Sequence, residues 1–245
     1  MEALKEILKY SLLNHLYGTK TVEVVEELEL VRFELPWRIM IPALIILFIV
    51  GYFLGSINFA TIISKKKYND DVRQHGSGNA GMTNMMRTYG KKAAALTLLG
   101  DALKAMAAVF LGMFIIGQPG AYIAGLGTII GHTWPIYYNF KGGKGVVTAI
   151  TTILCTEPLV GVLLLVIFVL IVWMTKYISL GSVMCSLIYP FLLLRLSQPE
   201  LIKTIVCFCI TALLFFNHRQ NIIRLYNREE NKFSFKKSVP TADKK

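Results

Sequence analysis

The stretch Ala121–Cys155, AYIAGLGTIIGHTWPIYYNFKGGKGVVTAITTILC, sets two apolar runs, Ala121–Tyr138 and Val146–Cys155, on either side of Phe140-Lys141-Gly142-Gly143-Lys144-Gly145. Glycines and lysines concentrated at a break between apolar segments read as a phosphate cradle at a membrane surface. Glycine has no Cβ, so successive residues can take φ > 0 and turn their N–H groups toward one concave point, to which the lysines add charge. The run from Val146 onward places a helix N-terminus behind the loop, where its dipole favours an anion. A solvated turn between membrane helices has the same composition, so the loop alone leaves both readings open. It is not a Walker A loop: Tyr138 stands where the leading glycine belongs, and Gly145 replaces the hydroxyl residue that would hold magnesium.

Outward from the loop, the chain is apolar. Hydrophobic residues make up 54% of its 245 positions and the mean hydropathy is +0.54, well above ordinary globular usage. Ile39–Ile63, Ala93–Ile116 and Leu201–Phe216 approach or reach the ~20 residues that cross a bilayer of ~30 Å as helix. Leu159–Thr175, Leu180–Leu194 and the two runs flanking the loop complete the set. The expected fold class is therefore all-α, a polytopic membrane protein of about seven transmembrane helices. Val146–Cys155 and Leu180–Leu194 are short, which predicts partial, tilted or re-entrant segments there.

The net charge of +11 would suggest nucleic acid in a soluble chain, but most of the positive residues lie in loops between apolar runs. Positive-inside topology accounts for them. If the first run exits to the cytoplasm at Lys65-Lys66-Lys67, alternation places Arg73, Arg87, Lys91, Lys92, Lys141, Lys144, Lys176, Arg219 and Arg224 on the same side. The opposite loops, around Gln118–Gly120 and Thr156–Pro158, carry no Lys or Arg. The N-terminus is expected outside, with the polar loops and C-terminus cytoplasmic. Cys155, Cys185, Cys207 and Cys209 lack metal-ligand spacing and read as core residues.

Residues 1–38 are expected to be an extension. Leu4, Ile7, Leu8, Leu12 and Leu16 recur at helical spacing among charges, which suits an interfacial amphipathic helix. It has no uninterrupted apolar core of a signal peptide. A membrane domain over 39–233 and a basic cytoplasmic tail over 234–245 follow.

Between Asp70 and Asn84 fall Arg73, Gly76, Ser77, Gly78, Asn79, Gly81, Thr83 and Asn84. Glycines supply special backbone angles, Ser, Thr and Asn supply neutral donors, and Arg73 offers a planar fork for phosphate oxygens. Asp101 and Lys104 stand at i, i+3 inside an apolar helix and share a face. Such an intramembrane pair is either functional or the glue of a functional loop. His132, before Trp134, Pro135, Tyr137 and Tyr138, reads as a hydrogen-bonding strut rather than a base. Thr175–Ser182 sets Lys176 beside Ser179 and Ser182. The last run ends in His218, Arg219, Asn221 and Arg224.

In this order, these clusters resemble the bacterial membrane-bound glycerol-3-phosphate acyltransferases that use acyl phosphate, the PlsY type. The resemblance runs from about residue 41 to 233. It rests on Arg73 with Gly-Ser-Gly-Asn-Ala-Gly at 76–81 and Thr83-Asn84; on Asp101 with Lys104; on Gly131-His132, Pro135 and Phe140–Gly145; on Tyr177, Ser179-Leu180 and Ser182; and on His218-Arg219, Asn221-Ile222 and Arg224-Leu225. It implies a seven-helix enzyme of the cell membrane. Its cytoplasm-facing site would transfer a fatty acyl group from acyl phosphate to the 1-hydroxyl of sn-glycerol 3-phosphate, giving lysophosphatidate and inorganic phosphate, with no metal and no cofactor. Expected partners are the two substrates, membrane lipid and an acyltransferase that produces the acyl phosphate; no nucleic acid is expected.

Ser77, Asn79, Lys104, His218 and Asn221 are then the candidate catalytic residues. Arg73, Gly78, Thr83, Asn84, Lys141, Gly142, Gly143, Lys144, Gly145, Lys176, Ser179, Ser182, Arg219 and Arg224 are candidates for substrate binding, with Asp101 and His132 structural. The glycine N–H groups, with Asn79 or Asn221, would stabilise an oxyanion. Met82, Ala105, Lys176 and Arg228-Glu229 depart from the family pattern, and lysine at 176 cannot offer the usual bidentate fork. No His is followed five positions later by Asp, as the other large acyltransferase group requires. The rival from another class is an organophosphate or anion transporter, which should place its site at the midplane between repeated halves. The sequence has no internal repeat, and its motifs fall on one side.

Overall fold

The computed structural model describes residues 37–198 and 200–233; the expectations for 1–36 and for the tail from 234 lie outside these. The chain divides into two compact units, Met1–Met40 and Ile41–Lys245. Of the first, only 37–40 are described, as the opening turn of a helix. The second is all helical among the described residues.

Each apolar run becomes a helix, because a segment without backbone partners outside itself can enter lipid only by satisfying its own N–H and C=O groups. The first run does so in two pieces, α1 (Trp37–Ser56) and α2 (Phe59–Tyr68). Asn58 makes the break: its buried side chain caps α2 by accepting from the Thr61 N–H at 2.9 Å. A short polar helix, α3 (Met82–Tyr89), precedes α4 (Lys91–Ile116) and α5 (Gln118–Thr133). Then come α6 (Val146–Thr156), α7 (Pro158–Thr175), α8 (Ile178–Leu196), α9 (Leu201–Asn217) and α10 (Arg219–Tyr226).

Among the described residues, four helical stretches are long and apolar enough to cross a bilayer: α1 with α2, α4, α7 and α8. A fifth arises if α9 and α10, bent by 54° at His218, count as one span. The run Leu180–Leu194, expected to be short, extends at both ends into the 19 residues of α8. The run Ala121–Tyr138 is instead shorter than its sequence suggested, because Trp134-Pro135 ends α5. At 11 residues α6 rises only ~16 Å, too little to reach both interfaces.

Small residues let α5 sit at the centre despite its length. A Cβ on Gly51 or Gly55 of α1 would stand 2.2 Å from the carbonyl oxygen of Ala124 or Thr128, and one on Gly127 or Gly131 of α5 would strike the Phe48 or Tyr52 carbonyl. The paired small-xxx-small spacings thus bring the two backbones into direct contact. On its other side α5 packs Tyr122 and Ile129 against Ile153, Leu164, Tyr189 and Ile210. Outward faces carry exposed Phe114, Trp173 and Phe191, the surface expected of helices solvated by lipid.

Candidate functional site

Two adjoining depressions open among the α3, α6, α8 and α10 ends. The larger, of about 380 Å³, is polar at its mouth and continues as an apolar arm between α6, α7 and α8. The smaller, of about 190 Å³, is lined by Ser77, Gly78, Asn79, Gly143, Lys144, Asn217, Arg219, Gln220 and Arg224. Ser77, Asn79, Lys144 and Arg224 belong to both.

The 70–84 loop is built to hold its tip at this mouth. Asp71 grips Arg73 through both carboxylate oxygens, with Nε–Oδ1 at 2.9 Å and Nη2–Oδ2 at 2.6 Å, and Arg73 Nη1 donates to the Tyr138 carbonyl at 3.0 Å. Its fork is engaged by the scaffold, and Arg73, expected from sequence to bind substrate, lines neither depression. Asn84 is likewise committed: its amide donates to the Val72 and His75 carbonyls, and its Oδ1 accepts from the Ser77 N–H. Gly76, at φ +56, leaves room for that side chain, since a Cβ would stand 2.3 Å from Asn84 Oδ1. Gly76, Ser77, Asn79, Gly81, Met82, Thr83 and Asn84 all line the larger cavity, and of these Ser77, Asn79 and Thr83 bring polar side chains not engaged within the loop.

The glycine–lysine loop differs from the cradle its sequence predicted. Gly142 and Gly143 do not take positive φ; Gly145 does, at +84, as do Asn139 and Phe140. The Gly142 N–H donates to the Thr133 carbonyl and the Gly143 N–H to the His132 carbonyl, so neither amide faces a ligand. Glycine is needed there for space: a Cβ on Gly142 would lie 2.0 Å from the His132 oxygen, and one on Gly143 would lie 2.0 Å from His132 Nε2. Lys141 is exposed and, with Gly142, lines neither depression. Lys144 points inward, its Nζ 2.5 Å from Asn221 Oδ1, and Gly145 leads into the N-terminus of α6. Burial lowers the Lys144 pKa to about 8; Glu230 opposes this, while Arg224 and Arg87 add to it.

Lys104 was expected to be catalytic, but it is a buried hub that lines neither depression. Its Nζ meets Asp101 Oδ1 at 2.8 Å, His132 Nδ1 at 2.9 Å, and the Gly55 and Ile57 carbonyls at 2.9 and 2.7 Å. It satisfies the backbone freed at the α1–α2 break. Because the ammonium only donates, His132 Nδ1 accepts and the ring proton sits on Nε2, toward Gly143. His132 carries the glycine loop on its carbonyl, which accepts from the Gly143 N–H.

At the break between α9 and α10, His218 is buried with Nδ1 2.7 Å from the Leu214 carbonyl, which fixes the proton on Nδ1 and leaves Nε2 as an acceptor at the cavity. Asn221 donates to Glu230 Oε1 at 2.9 Å, and Arg224 Nε donates to Oε2 at 2.8 Å. Burial would raise the Glu230 carboxyl, but these hydrogen bonds outweigh it and hold the pKa below the usual value. Arg219 lies over the Phe216 ring at 4.3 Å and donates to the Phe216 carbonyl. Ser179 is buried at the cavity wall with its hydroxyl unpartnered, whereas Ser182 bonds the Ile178 carbonyl. Lys176, expected to bind phosphate, is exposed in the left-handed cap of α7 and lines neither depression.

Sequence reading passed over Arg87, Asn217 and Glu230. Arg87 shares a face of α3 with Thr83 by its i, i+4 spacing, which the sequence does carry. Glu230 enters the site only because the chain after α10 turns back, so that Phe233 N–H donates to the Lys176 carbonyl.

The family model for glycerol-3-phosphate acyltransferase matches residues 45–228. The chain is 42% identical over 200 residues to the glycerol-3-phosphate acyltransferase of Alkaliphilus metalliredigens, covering 82% of this chain and 100% of that protein. It is 41% identical to that of Clostridioides difficile, covering 79% and 97%. It is also similar to the crystal structure of PlsY, an integral membrane glycerol 3-phosphate acyltransferase, in its glycerol 3-phosphate form: TM-score 0.74, 33% identity, 78% of this chain and 96% of that one. The lysophosphatidic acid form gives 0.71 at 31% identity, with the same coverage.

Proposed function

Since this chain belongs to the glycerol-3-phosphate acyltransferase family, we propose that it transfers a fatty acyl group from acyl phosphate to the 1-hydroxyl of sn-glycerol 3-phosphate. The products are lysophosphatidate and inorganic phosphate, as the first acylation of phospholipid synthesis. One observation carries the donor assignment: a depression holding Lys144 and Arg224 continues directly into an apolar arm, which suits a phosphate joined to a hydrocarbon chain. The smaller, mainly polar depression shares those two cations and suits glycerol 3-phosphate.

In this reading Lys144, Arg224 and Arg219 gather the two phosphates, whose mutual repulsion would otherwise keep them apart. Thr83, Ser77, Ser179 and Ser182 lie along the donor's path. His218 Nε2 accepts a hydrogen bond from the acceptor hydroxyl and holds it against the acyl carbonyl. The hydroxyl oxygen bonds to the carbonyl carbon, the carbon–oxygen bond to phosphate breaks, and the departing phosphate takes the hydroxyl proton. Such positioning supplies roughly 7–11 kcal/mol, enough with so good a leaving group to dispense with a protein nucleophile. With the Gly142 and Gly143 amides engaged, the oxyanion falls to Asn79 and the α6 N-terminus.

The site is assigned to the cytoplasmic side, with the N-terminus outside, on the distribution of Lys and Arg among the loops. Residues 39–233 are assigned as the catalytic membrane domain, with 1–38 as an extension and 234–245 as a basic tail. An enzyme that makes acyl phosphate is the metabolic partner. A transporter would need the cavity to continue to the opposite face, and the arm ends instead at buried Ile153, Leu164 and Tyr189.

Purified protein supplied with glycerol 3-phosphate should release phosphate and form lysophosphatidate from acyl phosphate, and should ignore acyl-CoA. Efficient turnover with acyl-CoA alone would refute the donor assignment.

A further inference from the structure

The apolar arm has a built floor. Its walls run down from the polar mouth along Ala149 and Ile153 of α6 and along Ser182, Ser186 and Tyr189 of α8, with Leu164 of α7 closing the third side. The lining reaches Ile153 on α6, Tyr189 on α8 and Leu164 on α7 and no further along those helices, so the arm ends at that depth. The rise from Gly145 to Ile153 along α6 is ~12 Å, shorter than an extended long-chain acyl group.

Beneath this floor lies a polar cluster that the proposed reaction does not use. Glu157, at the α6–α7 junction, accepts from Tyr122 of α5 and from Ser197 after α8, and pairs with Lys203 of α9 at 3.0 Å. Lys203 also donates to the Gln198 carbonyl at 3.3 Å. The carboxylate and ammonium are 12% and 6% exposed, and both carboxylate oxygens and the ammonium are engaged. A buried, satisfied ion pair resists displacement by hydrocarbon, since separating it would leave unpaired charge in a low-dielectric setting. It ties four elements around the far end of α6, which is too short to be anchored by the membrane itself.

Above the floor the α8 wall is unusually small. Ser182 and Ser186 turn their hydroxyls back to their own helix, to the Ile178 and Val183 carbonyls, and present little volume to the arm. We infer that Tyr189, with Ser186 leaving the arm open just above it, sets the length of acyl chain that this enzyme prefers. Small α8 residues make the arm, and the phenol ends it over the Glu157–Lys203 tie. A chain that reaches the floor fills the arm; a longer one must bend out past Leu165, whose side chain faces both the arm and lipid.

This rests on the proposed reaction and is tested with a series of saturated acyl phosphates of increasing length at fixed glycerol 3-phosphate, comparing kcat/KM profiles. Tyr189→Ala should move the optimum to longer chains. Ser186→Phe should move it to shorter ones, with roughly tenfold or greater loss for the chain that the unmodified enzyme prefers. Folded variants that keep the original profile would overturn the inference and place the tail in the lipid gap beside Leu165. Should Ser186→Phe fail to fold, thermal stabilisation of the unmodified protein by lysophosphatidates of increasing length decides: it should plateau once the floor is reached, and a continued rise counts against the floor. Activity with acyl-CoA alone would defeat the donor assignment, and an acyl-CoA series would still report on the arm.

Discussion

Gly143 donates its backbone N–H to the His132 carbonyl at 3.0 Å, and the same glycine leaves just enough room for the His132 ring. A Cβ there would stand 2.0 Å from Nε2 and 2.9 Å from the Ala80 oxygen. Gly143→Ala should therefore displace His132 or the loop that carries Lys144, at an overpacking cost of about 1–3 kcal/mol. Both activity and melting temperature in detergent should fall. A variant with native stability and native turnover would refute this packing role.

Gly145→Ala provides the contrast, since Gly145 sits at φ +84 while its nearest neighbour, Ile129 Cγ2, is 3.1 Å from an added Cβ. The cost there is mainly left-handed strain, of about 1–2 kcal/mol. Activity should fall with a smaller change in melting temperature than Gly143→Ala produces, measured side by side.

Lys104→Met should be among the most damaging single changes, because it leaves Asp101 buried without its cation and the Gly55 and Ile57 carbonyls without a donor. Removing one partner of a buried pair costs about 3–5 kcal/mol. Adding Asp101→Asn to Lys104→Met should recover part of the lost stability, read as monodispersity and melting temperature. If the single variant is as stable as the parent, the hub assignment is wrong.

With its pKa lowered from 10.5 to about 8, Lys144 loses its ammonium as pH rises through about 8. The KM for a phosphorylated substrate should then be flat below that point and climb above it, by up to about tenfold per pH unit. Lys144→Arg keeps its charge, so whatever its absolute KM, the climb should vanish. A parent KM unchanged from pH 7 to 10 would exclude Lys144 as the phosphate cation.

Lys176→Arg would restore the residue usual in the family, yet the side chain is exposed and lines neither depression. Both KM values should stay within about twofold, as for other surface substitutions of under ~0.5 kcal/mol. A marked tightening for either substrate would bring position 176 back into the site.

Orientation is tested by single cysteines at exposed positions in a background free of the native four. Gln118→Cys should react with an impermeant thiol reagent added to intact cells. Lys66→Cys and Asn227→Cys should react only after permeabilisation. The reverse pattern would overturn the cytoplasmic assignment.

The sequence determined which segments are helical, since each apolar run carries its own reason to be helical in lipid, and Gly145 and the Lys176-Tyr177 turn punctuate the runs locally. The breaks at Asn58 and at Trp134-Pro135 fall inside runs that read as continuous. The Asp101–Lys104 pair was also legible, because i, i+3 spacing on one helix fixes who meets whom. Which polar residues face the cavity was decided only by tertiary structure. Arg73 and Lys176 resemble Lys144 and Arg224 in the sequence as basic residues at the ends of apolar runs. Yet Arg73 is consumed by Asp71 and by Tyr138, 65 positions away, while Lys144 is turned inward by Asn221, 77 positions away. Long cationic side chains sweep several ångströms about their Cα atoms, so their destination depends on acceptors supplied by other helices and not on neighbours in the chain. The glycine loop follows the same logic: its composition announced a phosphate cradle, but the His132 and Thr133 carbonyls, brought alongside by the end of α5, claimed the amides of Gly143 and Gly142.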